Sequence, residues 1–595
     1  MIFLRHHWLA LFGALIVGLI MILPQVMFIV QSGDQYRGIN IFETDAEYYY
    51  VSRIHEVYDG HYAIANSILA QGKDMPYVQP PLGELIVGGV GKLFGLDIAT
   101  LLVAFRFVAS ASLFLLVYWF ALLLSQRDKL ASVVAASAVL LGSNLVSHST
   151  DLLSMIRGTF DAQLFIDYAR PINPQISSLF LFGFLVSLVR LFQTRRIVPA
   201  AISAILYGLS FYVYPYTWTF LSVVIGLSAL WLLCKRRWWL FGLTCTIGVT
   251  GLIIAIPYFI NTVAVVNHPS YEMLHSTWGL LNARTPVFSI TIAVGLFFAM
   301  VLYWLKRDDR LTAGIIALLF VSGAVAINQQ VITGKELYYG HYHWYFIKPF
   351  FALSGALVLF ELLRHVKFKK YVRVFILIIV CGTLVYNGIM IQWTSYRHYY
   401  DSYLSMQRYG DVIEWLNKNA ERDEIAYVPQ SFFFPLPDRG ALLDYPSVTL
   451  GRLVVSYTPL NLYFSRYANF YLFEDTNYKA FNLFIVLKLL GVPSDQASTY
   501  LKEHSDIFSD YYLAYFKERG QTFDDVPDEW IAVLADGYQS FSNLSWEEIW
   551  QRYPINYIVW DRGDLPNLPF YDINSGLKLW DTVYDQNGII IMKFR

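Results

Sequence analysis

The sequence predicts a polytopic α-helical membrane protein with about eleven transmembrane helices, followed by an extracytoplasmic domain of mixed α/β structure. Three observations lead to this fold class. Only 15% of the 595 residues are charged, against roughly 25% in soluble globular proteins. Apolar runs of about 18 to 25 residues recur through the first two thirds of the chain, and each could cross a hydrocarbon core of ~30 Å as a helix. Basic residues cluster at alternate ends of these runs.

Eleven apolar segments are predicted to span the membrane. They cover approximately residues 8–30, 100–124, 130–147, 174–192, 197–214, 217–234, 238–260, 286–305, 311–328, 343–363 and 371–392. The first segment is too long for the apolar region of a cleaved signal peptide, and no small-residue cleavage site follows it. We therefore expect it to remain as an uncleaved span.

The turns between the segments predict their orientation. Basic residues are concentrated at 124–130, 190–197, 235–238, 306–310 and 364–373. The loops between those turns are longer, more polar and less basic, which by the positive-inside rule places the basic turns and the N-terminus in the cytoplasm. The loops expected outside are 31–99, 148–173, 261–285 and 329–342. Because the number of spans is odd, residues after 392 are expected outside as well.

The chain is thus predicted to have a transmembrane domain, 1–392, and an extracytoplasmic α/β domain, 393–595. In the first outer loop, 31–99, we expect two interfacial helices, from Asp45 to about Leu69 and from the Pro80-Pro81 bend to about Phe94. The second domain mixes helix-like stretches, such as 411–416, with β-rich ones, such as 555–560. Asn587-Gly588 between two apolar strands is a strong hairpin signal.

Composition also limits the partners. The net charge of −1 shows no excess of basic residues of the kind that binds nucleic acid. The three cysteines lie in or beside apolar segments without metal-ligand spacing or a disulfide framework, so we interpret them as small core residues. The absence of retention and cleaved targeting signals predicts the plasma (inner) membrane of a prokaryote as the location of this multi-pass protein.

The first outer loop carries the most informative polar cluster, Glu43-Thr44-Asp45-Ala46-Glu47. Thr44 to Glu47 fits a capping box, in which Glu47 reaches back to the N-cap. That alternative stays open for Glu47 and is weaker for Asp45, whose side chain the box does not use. A carboxylate at a membrane surface could instead take a proton from an acceptor hydroxyl. It could also hold a divalent cation, Mg or Mn, against a donor phosphate, with Asp45 as the metal ligand.

The start of the chain resembles the GT-C superfamily of integral-membrane glycosyltransferases, which includes protein O-mannosyltransferases, aminoarabinose transferases of lipid A and the catalytic subunits of oligosaccharyltransferases. The likeness rests on a single N-terminal span, an outer loop with Asp45-Ala46-Glu47-Tyr48-Tyr49, a Tyr77-x-Gln79-Pro80-Pro81-Leu82 bend, and Phe105-Arg106 near the outer end of the second span. It is clear over about residues 1–125 and extends in architecture to 392.

The resemblance implies a polyprenyl-phosphate-linked sugar donor, inversion at the anomeric carbon and an essential acidic residue in the first outer loop. By position that residue is Asp45, with Glu47 second. The Trp-Trp-Asp-Tyr-Gly signature of oligosaccharyltransferases is missing from the tail, so recognition of a peptide sequon is not expected.

Basic residues of the outer segments are candidates for contacts with the donor and its lipid phosphate. They are Arg53, Arg106, Arg170, Lys335 and His341. For Arg106 and Arg170 the alternative is ordinary anchoring at the membrane interface. Aromatic residues between Tyr212 and Trp218 are interpreted as interfacial belt residues or a sugar-stacking surface. Zinc binding by His341 and His343 would need further ligands that the sequence does not identify.

The predicted function is therefore transfer of a sugar from a polyprenyl-phosphate donor to an acceptor on the extracytoplasmic face, the acceptor being an envelope glycan, a lipid or a protein. Two alternatives are a flippase or transporter for lipid-linked sugars and a non-catalytic membrane scaffold. Transporters usually carry ionisable groups near the bilayer midplane. Here the charged residues inside the spans, Arg106 and Lys348, lie near the outer side, which favours the transferase.

Overall fold

The structure is a computed structural model, and its described part defines the fold. The described residues are 2–42, 45–162, 164–269, 271, 281–306, 310–366, 368–429, 450–463, 476–489, 491–504, 528–564 and 580–595. Within them the chain is mostly helical, with a small mixed sheet near the C-terminal end. This arrangement confirms the predicted fold class of a polytopic helical protein with a C-terminal α/β region.

Apolar helices occur at all eleven places where the sequence predicts a span. We number them as spans 1 to 11, and in the described residues they are Ile2–Met21 with Leu23–Ser32, Ile98–Leu124, Lys129–Leu141, Ser177–Thr194, Ile197–Ser210, Pro215–Cys234, Trp238–Ile254 with Ile256–Val266, Ile290–Leu305, Arg310–Ala326, Lys348–His365 and Lys370–Met406. By length and composition, six helices of the described chain can cross a membrane, or up to eight if each bent pair counts as one span. Spans 3, 5 and 8 are shorter apolar helices.

Two spans are bent rather than straight. Span 1 bends by 51° between Met21 and Leu23, and span 7 bends by 54° between Ile254 and Ile256. In each, a proline lies in the first turn of the second helix. Proline has no N–H to donate and its ring crowds the preceding turn, so a helix tends to break just before it. The bends therefore follow from the sequence.

Span 11 extends far beyond its predicted end at residue 392. The helix Lys370–Met406 has 37 residues, so it is about 55 Å long, well over the ~30 Å of a hydrocarbon core. Its last turns carry buried tyrosines, including Tyr396, Tyr399 and Tyr403. The apolar run ends near 392, but the helix continues as a rigid stem into the tail because these tyrosines pack against the loops around it.

The first outer loop contains two helices, Asp45–Asp59 and Leu82–Phe94. The first ends ten residues before its predicted limit at Leu69, because Gly60 adopts a φ of +89° that stops a helix. The second ends as predicted at Phe94. Shorter elements lie in the other outer loops: helices Ser143–Ser147, Asp151–Arg157, Gln330–Thr333 and Tyr339–Tyr342, and the antiparallel strands β1 (Leu281–Asn282) and β2 (Lys335–Glu336).

The tail combines six helices with five strands in its described part. The helices are Gly410–Asn419, Leu450–Tyr457, Thr476–Leu489, Ala497–Glu503, Asp528–Ser542 and Trp546–Arg552. The strands are β3 (Ile425–Tyr427), β4 (Asn461–Leu462), β5 (Tyr557–Asp561), β6 (Trp580–Gln586) and β7 (Ile589–Phe594), in the order β4-β3-β5-β7-β6. The predicted hairpin is confirmed, since β6 and β7 pair antiparallel across Asn587-Gly588.

The first outer loop and the tail are connected by backbone hydrogen bonds. Leu462 N donates a 2.7 Å hydrogen bond to Ile68 O, and Leu69 pairs with Leu462 as a parallel bridge at the edge of the tail sheet. On the other side of the loop, Arg37 N donates to Gln407 Oε1 at 2.9 Å. The tail therefore lies directly against the loop that carries the predicted site.

The basic turns meet at the opposite end of the bundle. Lys306 Nζ donates to Leu124 O at 2.6 Å, and Arg364 Nη1 donates to Gln126 Oε1 at 2.8 Å. The segments predicted to be outside thus gather at one end and the basic turns at the other, as the predicted alternation requires. Which end faces the cytoplasm remains a prediction from the positive-inside rule.

Candidate functional site

The helix Asp45–Asp59 begins at the predicted acidic residue. Asp45 is its first residue, but the side chains of residues 43–46 lie outside the described part of the chain. The predicted roles of Asp45 as base or metal ligand, and the capping box with Thr44, therefore stay predictions.

Glu47 forms an ion pair with Arg106 of span 2. Both side chains are buried, at 0% and 2% exposure. Arg106 thus lies inside the protein and does not anchor the span at the lipid surface. Gln175 Nε2, which precedes span 4, donates to Ser110 Oγ at 2.7 Å and to Tyr168 O at 2.8 Å. The Glu47–Arg106 pair therefore joins the first outer loop to span 2, and Gln175 joins span 2 to the segment before span 4.

Arg53, one turn and a half further along the helix, is held by protein groups on every side. Its Nε lies 2.6 Å from Glu84 Oε1, and its two Nη atoms donate to the carbonyl oxygens of Ile64 and Gln79 at 3.2 and 3.0 Å. The side chain is 1% exposed. These bonds make Arg53 the brace of the first outer loop, and its guanidinium has no open face for a donor phosphate.

Arg170 has surroundings of a different kind. Its Nη2 donates to Tyr345 Oη at 2.5 Å and its Nε donates to Asn173 O. The guanidinium lies over the rings of Tyr50 and Tyr345, 5.9 and 5.7 Å from their centroids. All of these partners are neutral, and no carboxylate in the described residues lies within ion-pair distance of Arg170.

The position of Arg170 follows from the local chain. The turn Pro171–Ile176 is buried throughout, and two prolines restrict its backbone. Asn173 Nδ2 donates to Tyr50 Oη at 3.2 Å, which ties this turn to the first-loop helix. Arg170 is thereby held at the head of span 4, next to the helix that begins with Asp45.

His341 lies in the same group of side chains. Its Nδ1 is 2.5 Å from Tyr214 Oη. Its ring is 4.6 Å from that of Tyr216 and 5.7 Å from that of Tyr345, measured between centroids. The aromatic corner before span 6 therefore contributes to the site and is not only a belt at the membrane surface. Arg170 and His341 thus both lie beside Tyr345.

Asp167 and Lys348 complete the arrangement. Asp167 is exposed to solvent, yet the protein around it is dense enough that desolvation raises the pKa of its carboxyl, while the charges of Lys348 and Arg170 lower it. Asp167 is therefore a solvent-accessible carboxyl close to both cations. Lys348 is 9% exposed, and no hydrogen-bond partner of its ammonium group occurs among the described residues.

We call these residues the Arg170 cluster. It consists of Tyr50, Asp167, Arg170, Tyr214, His341, Tyr345 and Lys348. They come from four separate outer segments and the head of span 10. Arg170 and Lys348 face one described carboxylate, so with Lys348 protonated the described part of the cluster carries an excess of positive charge. It can bind an anion, and its aromatic walls suit an amphiphilic or sugar-bearing ligand.

Lys335 lies apart from this arrangement. It is exposed on the short strand β2, which pairs with β1, and its backbone carbonyl accepts a hydrogen bond from Gln329 Nε2 at 2.6 Å. The predicted donor contact of Lys335 has no structural support from its described contacts.

A metal site does not emerge from the described residues, where no group of three or more His, Cys, Asp and Glu side chains is arranged to hold an ion. The predicted Mg or Mn site depends on Asp45, whose side chain is outside the described part. The three cysteines are free, but the interpretation of them as core residues is wrong, since Cys234 is exposed and Cys245 and Cys381 are partly exposed.

Sequence reasoning missed three members of the cluster: Asp167, Tyr50 and Tyr345. Asp167 was one of several charged residues in its loop, and nothing marked it out. Tyr50 and Tyr345 lie in outer segments with several tyrosines, and nothing marked them out. One usable signal was present, because Tyr345 follows His341 by four residues, a spacing that places two side chains on one face of a helix.

No protein-family profile matches the chain. No curated protein matches it either. Similar solved structures include ArnT from Cupriavidus metallidurans bound to undecaprenyl phosphate, with 12% sequence identity and a TM-score of 0.45 over 96% of this chain and 97% of that one. They also include the same protein in the apo state, with 11% identity and a TM-score of 0.43 over 95% and 97% of the two chains.

Proposed function

We propose that this protein is a membrane glycosyltransferase that transfers a sugar from a polyprenyl-phosphate-linked donor to an acceptor hydroxyl on the extracytoplasmic face, with inversion at the anomeric carbon. The observation that carries the proposal is Arg170, a partly exposed cation whose described hydrogen-bond and ring partners are all neutral. It lies at the end of the bundle where the outer loops meet. Its position next to the helix that begins with Asp45 supports the same conclusion.

The other buried arginines and lysines of the bundle show why Arg170 is informative. Arg53 is paired with Glu84, Arg106 with Glu47 and Lys306 with Glu361. Taking a cation out of water is costly unless an anion compensates it. Among the described residues, Asp167 is the carboxylate near both Arg170 and Lys348, and it forms no ion pair with either of them within 4.0 Å. A phosphate bound beside Arg170 would supply the missing negative charge.

In the proposed reaction, the acceptor oxygen attacks the anomeric carbon of the donor sugar while a base removes the proton of the acceptor hydroxyl. The bond between the anomeric carbon and the phosphate oxygen breaks, and polyprenyl phosphate leaves with that electron pair. Arg170 binds the phosphate bidentately and stabilises the negative charge that develops on it. Lys348 adds positive charge at longer range.

Asp45 is the proposed base. It lies five residues before Tyr50, whose ring contacts Arg170, so the two residues are separated by about 7.5 Å along the helix axis. A sugar ring bound between them would have its phosphate at Arg170 and its anomeric carbon towards the start of the helix. Asp45 could act instead by holding Mg or Mn against the phosphate. Chelation by EDTA, followed by addition of either metal, distinguishes the two roles, because only a metal-held phosphate loses transfer and regains it.

The acceptor is proposed to approach from the tail. The tail helix Leu450–Tyr457 packs on the helix Asp45–Asp59, with the Arg452 guanidinium 5.8 Å from the centroid of the Tyr48 ring. The tail therefore covers the first turn of the helix that begins with Asp45. An envelope glycan, a lipid or a protein is the proposed class of acceptor, and the lipid-linked donor would reach the Arg170 cluster from the membrane.

The test uses the purified full chain in vesicles with a labelled polyprenyl-phosphate sugar. Arg170→Ala should weaken donor binding roughly ten- to a hundred-fold, as expected for the loss of a charge-assisted contact. Arg190→Ala is the matched control, because Arg190 lies on span 4 and its guanidinium is also 5.7 Å from a ring centroid, that of Trp119. Its donor binding should stay at the wild-type value.

Transfer is then measured by adding membranes as a source of acceptors. Labelled product should form with the wild-type protein and with Arg190→Ala, and should be lost with Arg170→Ala. Equal donor binding by the two arginine variants would contradict the proposal. Movement of labelled lipid between leaflets without any transferred sugar would favour a flippase instead.

A further inference from the structure

A second site lies at the other end of the bundle, where the basic turns meet. It is a groove with a volume of ≈ 470 Å³ between spans 6 and 9, closed on one side by Phe192 of span 4. That volume falls in the range of about 300–1,000 Å³ typical of small-molecule sites. Span 6 ends here and begins at the Arg170 cluster, so the two sites are at opposite ends of one helix.

The body of the groove is apolar. Its walls include Leu227 and Trp231 of span 6 and Ile315, Leu318 and Val321 of span 9. From Arg310 to Val321 the groove follows span 9 for about 16 Å towards the middle of the bundle. Two of its lining side chains are exposed, Trp231 at 41% and Val321 at 39%. A groove of this kind, open to the hydrocarbon, fits an acyl chain.

The mouth of the groove is cationic. Arg237 and Arg310 both line it, and both side chains are exposed. The described residues form no ion pair with either guanidinium; Asp308 and Asp309, which precede Arg310, lie outside the described part. The contacts that are described are with rings, at 5.8 Å from the Trp231 centroid for Arg237 and 4.9 Å from the Tyr303 centroid for Arg310. These rings hold the two charges at the level where lipid headgroups lie.

We propose that this groove binds one anionic glycerophospholipid from the leaflet at the basic end of the bundle. The headgroup phosphate lies between Arg237 and Arg310, and one acyl chain occupies the space between spans 6 and 9. Basic pockets between transmembrane helices are suited to anionic headgroups in this way. The bound lipid fixes span 6 against span 9 and thereby supports the helix that carries Tyr214 at its other end.

Gly314 offers a direct test. It lines the groove, and a side chain at this position would meet no atom within 4 Å. Gly314→Leu therefore fills the groove without a clash. Gly242→Leu is the matched control, because Gly242 also lies in a span and has the same open space. Arg237→Gln with Arg310→Gln removes the charge at the mouth, and Arg236→Gln, in the same exposed turn, is its control.

The experiment is native mass spectrometry of the full chain with phosphatidylglycerol or phosphatidylcholine of identical acyl chains. The wild type should retain one phosphatidylglycerol in preference to phosphatidylcholine. The double arginine variant should lose that preference by roughly thirty-fold, if each arginine contributes about as much as a basic residue at an anionic surface. Gly314→Leu should lose the tightly bound lipid of either kind, and both controls should keep it.

Three results would overturn this inference. The first is an unchanged preference for phosphatidylglycerol in the double arginine variant, and the second is wild-type lipid retention by Gly314→Leu. The third is displacement of the bound phosphatidylglycerol by an equal concentration of polyprenyl phosphate, which would make the groove a second site for the donor lipid. Arg170→Ala should retain phosphatidylglycerol normally, so this test is independent of the proposed function.

Discussion

Arg53 Nε lies 2.6 Å from Glu84 Oε1, and each of the two side chains is only 1% exposed. This ion pair joins the helix Asp45–Asp59 to the helix Leu82–Phe94, the two helices of the first outer loop. Because the guanidinium also binds carbonyl oxygens of the segment between them, one residue fixes the whole loop. The helix that begins with Asp45 is held in place by this brace.

The brace predicts a large stability effect. Glu84→Gln should destabilise the protein by about 3–5 kcal/mol, because it leaves a buried guanidinium without its counter-charge. The measurement is the unfolding midpoint of the full chain in detergent. Glu414→Gln is the control, since the Glu414–Lys418 pair is exposed on both sides, and its midpoint should not change. If the two variants unfolded alike, Arg53 would not be the brace of the loop.

Substitutions of the two carboxylates at the start of the first-loop helix should have different effects on sugar transfer and on stability. Asp45→Asn should lower sugar transfer by roughly 10²–10⁴-fold, as expected for the loss of a general base, and should leave the unfolding midpoint unchanged. Glu47→Gln, by contrast, should lower the unfolding midpoint, because Arg106 then remains buried beside a neutral group. Transfer and thermal unfolding are measured on the same preparations. Undiminished transfer by Asp45→Asn would falsify the proposed role of Asp45.

The charge of Asp167 predicts a pH dependence of donor binding. Desolvation raises the pKa of its carboxyl, although Lys348 and Arg170 lower it. As the pH falls through this raised pKa, Asp167 becomes neutral and the cluster gains net positive charge. The donor phosphate is a diester whose charge does not change in that range. Binding should therefore tighten towards acid pH, at a pH above that of an ordinary carboxyl group.

Asp167→Asn provides the control for this prediction. The asparagine carries no charge at any pH, so donor binding by this variant should be tight throughout the pH series and should not tighten further towards acid pH. Binding of the labelled donor is measured for both proteins across a pH series. If donor binding tightened equally towards acid pH in both proteins, a group other than Asp167 would be the one that titrates.

The tail hairpin depends on its turn. Asn587 and Gly588 have φ angles of +52° and +78°, a pair of values that suits a two-residue hairpin and that a β-branched residue resists. Gly588→Val should destabilise the β6–β7 hairpin by about 1–3 kcal/mol. Hydrogen exchange of the β6 and β7 amides reports this directly. Asn587→Gly should keep the wild-type protection; equal loss of protection in both variants would contradict the turn assignment.

Several features were predictable from the sequence because they depend on local patterns. The apolar run of each span, the proline just after each bend and the Asn587-Gly588 turn are all encoded within a few residues. Prediction was less accurate at the ends of helices. Span 11 continues to Met406 because its tyrosines find packing partners, and the first-loop helix stops at Gly60 instead of reaching Leu69.

The candidate site was predictable only in part. Arg170 and His341 were identified from the sequence, and the structure places them in one cluster. Arg53, Arg106 and Lys335 were candidates on the same grounds, since all are basic residues in or beside outer segments. Their contacts differ: Arg53 and Arg106 pair with buried carboxylates, while Lys335 is exposed on a short strand.

By itself the sequence determined that this is a membrane protein with a distinct tail, which segments span the membrane, and that acidic and basic residues gather in its outer loops. Hydrophobicity and turn chemistry are properties of short stretches, so no fold is needed to recognise them. Only the tertiary structure decided which cations have carboxylate partners. Those pairings join residues far apart in the chain, such as Glu47 and Arg106. Arg170 points to an anionic ligand because its described hydrogen-bond and ring partners are all neutral.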